Sequence, residues 1–172
     1  MSMAEGRPQF DPYAVLQALD RRRVKYVVIG GFARVLQGTE ELTRGLDIVP
    51  SLRGDNLRRL DEALQELHAK RIGEKELEPL ASGALEEPVV ELVTDYGELK
   101  VIPTPIGTQG YDDLRRAAQR EPLGRGVRPE VASIGDLARM STALGTELDL
   151  AHVRQLRRLT ALERGRGRVI ER

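Results

Sequence analysis

The sequence predicts an α/β (α+β) fold, a sheet flanked by helices with a helical C-terminal part, and three observations carry that expectation. A β-branched run, Val24 to Ile29, stops at Gly30-Gly31 and gives way to a short helical pattern, which reads as a strand, a glycine turn and a helix. Leu57, Leu60, Leu64 and Leu67 recur at helical spacing, so a helix over 55–70 offers one apolar face to a sheet. Two β-rich runs, Val89 to Thr94 and Glu98 to Ile102, flank Asp95-Tyr96-Gly97, which is a hairpin signal.

Taken in order, Asp11-Pro12 supplies a capping carboxylate and a proline for the first turn of a helix reaching Arg22, with Val15, Leu16 and Leu19 on one face. Val24 to Ile29 is the first strand, Phe32 to Gln37 the short helix after the glycines, and Leu46 to Val49 a second strand ended by Pro50. The segment 72–87 mixes glycine, proline and acidic residues without a period and reads as loop. Pro103 and Pro105 end the sheet, Tyr111 to Gln119 reads as helix, and Val127 to Val131 as an extended piece. Ser133 opens another helix, with Asp136 in a capping-box-like position. A last helix from about Asp149 carries Val153, Leu156, Leu159 and Leu162 on one face. These elements divide into a core over 1–105 and a helical part over 106–172 that packs on it, with a disordered tail over 164–172.

Composition narrows the chemistry. A chain of 172 residues suits one compact domain, and 27 basic against 27 acidic residues leave no global field to draw in nucleic acid. Any such contact is a local patch; Arg21 to Arg23, Arg115-Arg116, Arg154 to Arg158 and the tail read first as solvated helix faces with interspersed glutamates, and in the alternative as a phosphate-backbone footprint. The absence of cysteine excludes disulfides, thiolate nucleophiles and sulfur-ligated zinc. His68 and His152 read as surface or boundary residues of amphipathic helices, neither with an evident partner. No window approaches a membrane span, and no leader-like apolar stretch opens the chain, so a cytoplasmic protein is expected.

A Gly-Gly pair after an apolar strand is in itself a tight turn. It becomes a candidate phosphate site when it also opens a helix, because glycine lets the backbone approach an anion and the helix N-terminus donates amides to it. A following strand with carboxylates two apart would put both on one face, where divalent cations for nucleotidyl transfer could sit. Gly30, Gly31 and Asp47 fit that arrangement; Asp47 alone also fits a solvated strand residue.

From Val24 to Leu159 the chain resembles the nucleotidyltransferase superfamily, in particular its small bacterial proteins of the abortive-infection and toxin (toxin–antitoxin) type. That family follows a Gly-Gly or Gly-Ser turn with Thr-x-Asp-x-Asp, whose aspartates hold metal, and adds a third carboxylate on a later strand. Here Gly30-Gly31 and Thr43 match, Asp47 falls on the second aspartate and Gly45 on the first. Gly97-Glu98-Leu99-Lys100-Val101-Ile102 resembles the later strand, with Lys100 in the third carboxylate's place. Val131 to Leu137 resembles the lead into the family's C-terminal helices, where Ser141 and Thr146 stand near two basic positions and Asp149 is retained.

The resemblance implies a nucleotidyltransferase-like mixed sheet flanked by helices, with a nucleoside triphosphate and magnesium as cofactors. The substitutions predict a degenerate site: magnesium weak or absent, Gly30, Gly31, Thr43 and Lys100 on a nucleotide, and Asp47 as the remaining catalytic carboxylate; the other reading of Lys100, which its place on a strand favours, is an exposed or ion-paired lysine with Glu98 or Asp47 as partner. Asp47 with Glu98, two residues from Lys100 on the same strand face, is the metal pair that could survive. Three functions follow: binding of a nucleotide, RNA or protein partner without efficient transfer; active transfer of a nucleoside monophosphate; or service as a non-catalytic subunit of a heteromer. Asp149 is expected to cap the last helix. The sequence leaves the oligomeric state open.

Overall fold

The computed structural model describes residues 8–73 and 75–170. Asp11 caps α1 (Pro12–Arg21), its carboxylate accepting the Ala14 amide at 3.3 Å, and Val15, Leu16, Ala18 and Leu19 are buried. The fully buried strand β1 (Tyr26–Ile29) runs directly into α2 (Gly30–Gln37), which Gly38 ends in the left-handed conformation. Next come β2 (Gly45–Pro50), α3 (Gly54–Glu66) and the short β3 (Lys70–Arg71). The hairpin is β4 (Val90–Thr94) and β5 (Gly97–Val101), and Gly97 takes φ +117 at the turn, a region side chains rarely adopt. The chain then forms α4 (Tyr111–Leu114), β6 (Gln119–Arg120), β7 (Glu130–Val131), α5 (Ile134–Leu144) and α6 (Glu147–Ile170).

Seven strands form one mixed sheet in the order β3-β4-β5-β2-β1-β7-β6. The pairs β2/β5 and β1/β7 are parallel and the other four antiparallel. α1 packs on α3, while α5 packs on both α2 and α6. Leu46, Ile48, Leu92, Leu99 and Val101 are completely buried from the strands, and Leu16, Leu19, Leu60 and Leu137 from the helices. Among the described residues no helix is long and apolar enough to cross a membrane.

The departures from expectation have local causes. The predicted helix over Tyr111 to Gln119 stops at Leu114, because Gln119 and Arg120 pair with Val131 and Glu130 at the sheet edge. The extended piece from Val127 shrinks to Glu130–Val131; Pro129, without an N–H, only accepts the Glu121 amide at its carbonyl. α3 ends at Glu66 because His68 turns to φ +51 and releases the chain into β3. The loop over 72–87 contains two 3₁₀ turns, Leu80–Ser82 and Ala84–Glu86, and Asp61 accepts the Leu80 and Ala81 amides. α6 starts at Glu147 and continues to Ile170, through much of the segment expected as a disordered tail; residues 171–172 of that tail lie outside the described residues. The cap of α6 is Thr146, whose hydroxyl accepts the Asp149 amide at 3.1 Å; Asp149, expected as the cap, lies in the first turn and accepts in return from the amide and hydroxyl of Thr146.

One buried side chain ties α3 to the start of β1 and the end of β2. Asn56, 2% exposed, accepts the Lys25 amide at 2.7 Å and donates to the carbonyls of Lys25 and Ser51 at 3.0 and 2.8 Å. Asn56→Ala strands these groups in the interior and is expected to cost about 2–3 kcal/mol. Thermal denaturation should show a fall of roughly 5–10 °C for a chain of this size.

Candidate active site

Strand alternation and register assemble the candidate site. Leu46 and Ile48 point into the core, which turns Gly45 and Asp47 to the other face of β2. Asp47 lies opposite Ile29 on β1 and Lys100 on β5, and Lys100 lies opposite Glu91 on β4. Gly45 lies opposite Glu98. Asp47, Lys100 and Glu98 therefore share one face, but among the described residues Lys100 makes no ion pair within 4 Å.

Gly30 is required where it stands. It sits at φ +72, and a Cβ there would lie 2.2 Å from Asp47 Oδ2, so the Asp47 carboxylate covers the start of α2. Ile29, the residue before that helix, provides no side-chain cap, and among the described residues no side chain accepts from the first-turn amides. Gly31 is less constrained: its φ is not positive, and a Cβ would meet Glu41 Oε1 at 3.0 Å. Thr43 turns inward along the chain, its hydroxyl donating to the Gly45 carbonyl at 2.9 Å, and this bond pins the entry to β2.

A polar cluster that the sequence did not reveal supports this corner. Arg34, on α2, donates to both carboxylate oxygens of Glu41 at 3.0 Å, and both side chains are 16% exposed. Thr39 donates to Glu41 at 2.9 Å, and His152 Nε2 on α6 lies 3.7 Å from it. Burial alone would raise the Glu41 pKa; the hydrogen bonds from Arg34 and Thr39, with the Arg34 and His152 charges, outweigh it and hold the group below its ordinary value. His152, expected at the surface, is 6% exposed, and its Nδ1 is buried without a hydrogen-bond partner. His68, also expected without a partner, is exposed and meets Asp95 at 2.6 Å. The signal in sequence was only the helical phase of Arg34 and His152; the loop bringing Glu41 between them has no pattern.

A cleft of about 560 Å³ opens over Asp47. Its walls are mostly apolar, with Ile102, Pro105 and Ile106 on one side and Leu137, Met140 and Leu144 of α5 on the other, and Arg34, Asp47, Ser141 and Asp149 reach it. Burial drives the Asp47 pKa above its ordinary value, and attraction from Lys100 and Arg34 only partly offsets this while Glu91 and Glu98 add to it.

Among the described residues no group of three or more His, Cys, Asp or Glu side chains could hold a metal ion. At Gly45 a Cβ would lie 2.4 Å from the Glu98 carbonyl oxygen and 2.8 Å from its Cβ, so a carboxylate cannot be added without moving β5. Lys100 occupies the register position beside Asp47.

No protein-family model matches the chain, and no curated protein sequence matches it. Solved structures do. The solution structure of the antibiotic-resistance factor ANT(2'')-Ia superposes with a TM-score of 0.56 at 13% identity over 92% of both chains. Lincosamide antibiotic adenylyltransferase LnuA, lincomycin-bound, gives 0.54 at 17% identity, covering 88% of this chain and 99% of that one. ANT(2'')-Ia in complex with adenylyl-2''-tobramycin gives 0.52 at 15% identity over 90% and 95%. The chain thus has the nucleotidyltransferase fold, as the sequence resemblance implied.

Two substitutions test the geometry. Because Asp47 is raised in the folded state, its carboxyl favours folding fully below the unfolded value near 3.8, and that contribution is lost as pH rises through the folded pKa. Asp47→Asn should therefore melt higher than the wild type at pH 7, with the difference shrinking as pH falls to 4 and below. Gly45→Ala should lower stability by about 1–3 kcal/mol through overpacking against β5, read as a shifted urea midpoint.

Proposed function

We propose that this chain binds a nucleotide in the cleft over Asp47 and is impaired in metal-dependent nucleotidyl transfer. The observation that supports this most strongly is the Asp47–Lys100 register, which sets an ammonium where the family resemblance calls for a carboxylate. A lone Asp47 would repel a polyphosphate; Lys100 beside it offsets that charge and adds a cation for the phosphates. The unclaimed first-turn amides at Gly30 and Gly31 supply further donors. Arg34 is braced by Glu41, which accepts from its Nε and Nη2 along one edge of the guanidinium. The apolar wall from Ile102 to Leu144 suits a base or another flat apolar group. The neighbours in fold act on nucleotides and antibiotics, as their names state, and they support a nucleotide as ligand here.

On this reading magnesium, where the family uses it, would have Asp47 and Glu98 as its protein ligands, and that pair is too few for the family's chemistry. The metal would supply Lewis-acid stabilisation of the transferred phosphoryl group. This chain's residues instead bind and orient: Lys100 and the α2 amides toward the phosphates, with Asp47 beside them.

A thermal-shift titration with ATP, GTP, CTP and UTP tests the reading. Ligand at a hundred times its dissociation constant stabilises by about 2.7 kcal/mol, or roughly 5–11 °C. The wild type should shift with at least one nucleotide, and Lys100→Ala should show no shift relative to its own melting temperature without ligand. No shift with any nucleotide, or an undiminished shift in Lys100→Ala, would remove Lys100 and the cleft from nucleotide binding.

A further inference from the structure

At the opposite end of β1 from Asp47, five cations from separate segments converge. Arg23 and Lys25 come from the link between α1 and β1, Arg115 follows α4, Arg120 lies on β6 and Arg128 precedes β7; together they line a pocket of about 590 Å³. Asp20 and Glu130 are its only acidic lining residues, so the five cations leave a local excess of three positive charges in a chain that is neutral overall. Asp20 is engaged by the Tyr26 hydroxyl, which donates to it at 3.3 Å.

What separates this patch from the adjacent Arg21 and Arg22 is pairing, and what separates it from unpaired arginines such as Arg154 and Arg158 is convergence on one pocket. Arg21 and Arg22, one turn away, pair with Glu66 and Glu62, and Arg34 and Arg139 also have carboxylate partners. Among the described residues none of the five pocket cations makes an ion pair within 4 Å, although Arg120 faces Glu130 across β6 and β7. Arg23 also holds φ +56 just past the end of α1, where glycine would be unstrained. A cation is thus kept at the rim in a backbone conformation that disfavours it. Tyr111, half-buried at the same pocket, adds an aromatic ring.

We propose that this pocket binds a single-stranded nucleic-acid segment, its phosphates on the unpaired arginines and a base on Tyr111. Unpaired cations spaced over several segments match successive phosphates, and an aromatic ring accepts any base by stacking. The site is separate from the Asp47 cleft and does not depend on the nucleotide reading of it.

Fluorescence anisotropy of a 5′-labelled 12-nucleotide RNA with the full chain tests this. With about three net phosphate contacts, raising salt from 50 to 200 mM should weaken binding by about twentyfold. The double variant Arg115→Ser with Arg128→Ser should lose at least tenfold, whereas Arg154→Ser with Arg158→Ser, which removes the same charge from α6, should not. Arg23→Gly should also weaken binding while keeping or raising the melting temperature, since it relieves the positive φ; this separates a binding role from a folding one. An absent or salt-insensitive signal, or equal losses in the two double variants, would overturn the site. Displacement of the RNA by ATP at equal phosphate concentration would overturn the strand and indicate a free nucleotide as occupant.

Discussion

The register of β2 between β1 and β5 governs everything the cleft can do. One antiparallel neighbour and one parallel neighbour fix Asp47 between Ile29 and Lys100. A slip of one residue would turn Asp47 into the core and Ile48 out of it, so the burial of Leu46, Ile48 and Leu99 enforces the position of the polar residues on the other face. Packing on one side of the sheet thereby determines chemistry on the other. The same register brings Gly45 against Glu98 so closely that no side chain fits. A side chain at that position would require β5 to shift.

The energetics of Asp47 point the same way. A half-buried carboxylate with a raised pKa costs stability, and Lys100 and Arg34 recover only part of it. Such a cost is characteristic of positions kept for a ligand. Around it, the Arg34–Glu41 pair, anchored by Thr39 and approached by His152, locks α2 to the following loop and to α6. Thus the helix whose N-terminus faces the cleft is held from behind by a polar cluster, and from the front by the Asp47 carboxylate over Gly30. The first-turn amides are held in place before any ligand arrives.

Much of this was legible in the sequence, for local reasons. Asp11-Pro12, the β-branched run into Gly30-Gly31, the Leu57 to Leu67 spacing and the hairpin around Gly97 are short-range signals, and the chain obeys each of them. The resemblance to nucleotidyltransferases, carried by Gly30, Gly31, Thr43 and Asp47, agrees with the fold. Long-range decisions were not legible. Gln119 left a helical pattern for a two-residue edge strand because Val131 was there to receive it. His152 looked like a surface residue since nothing near it in sequence announces Glu41. Thr43 matched the motif, yet its hydroxyl is committed to its own strand. Nor could spacing show that Gly45 has no room for a side chain, or that Arg23, Arg115 and Arg128 meet in one pocket.

The central claim is that Lys100 has taken over the role of metal in holding a nucleotide beside Asp47. Isothermal titration of the best-binding triphosphate, once in chelator and once in excess magnesium, tests it most directly. The account predicts that affinity in chelator equals or exceeds that in magnesium, because the uncomplexed triphosphate carries more charge to Lys100. Binding that appears only with magnesium, or tightens tenfold or more on its addition, would contradict the account and restore Asp47 and Glu98 as working metal ligands.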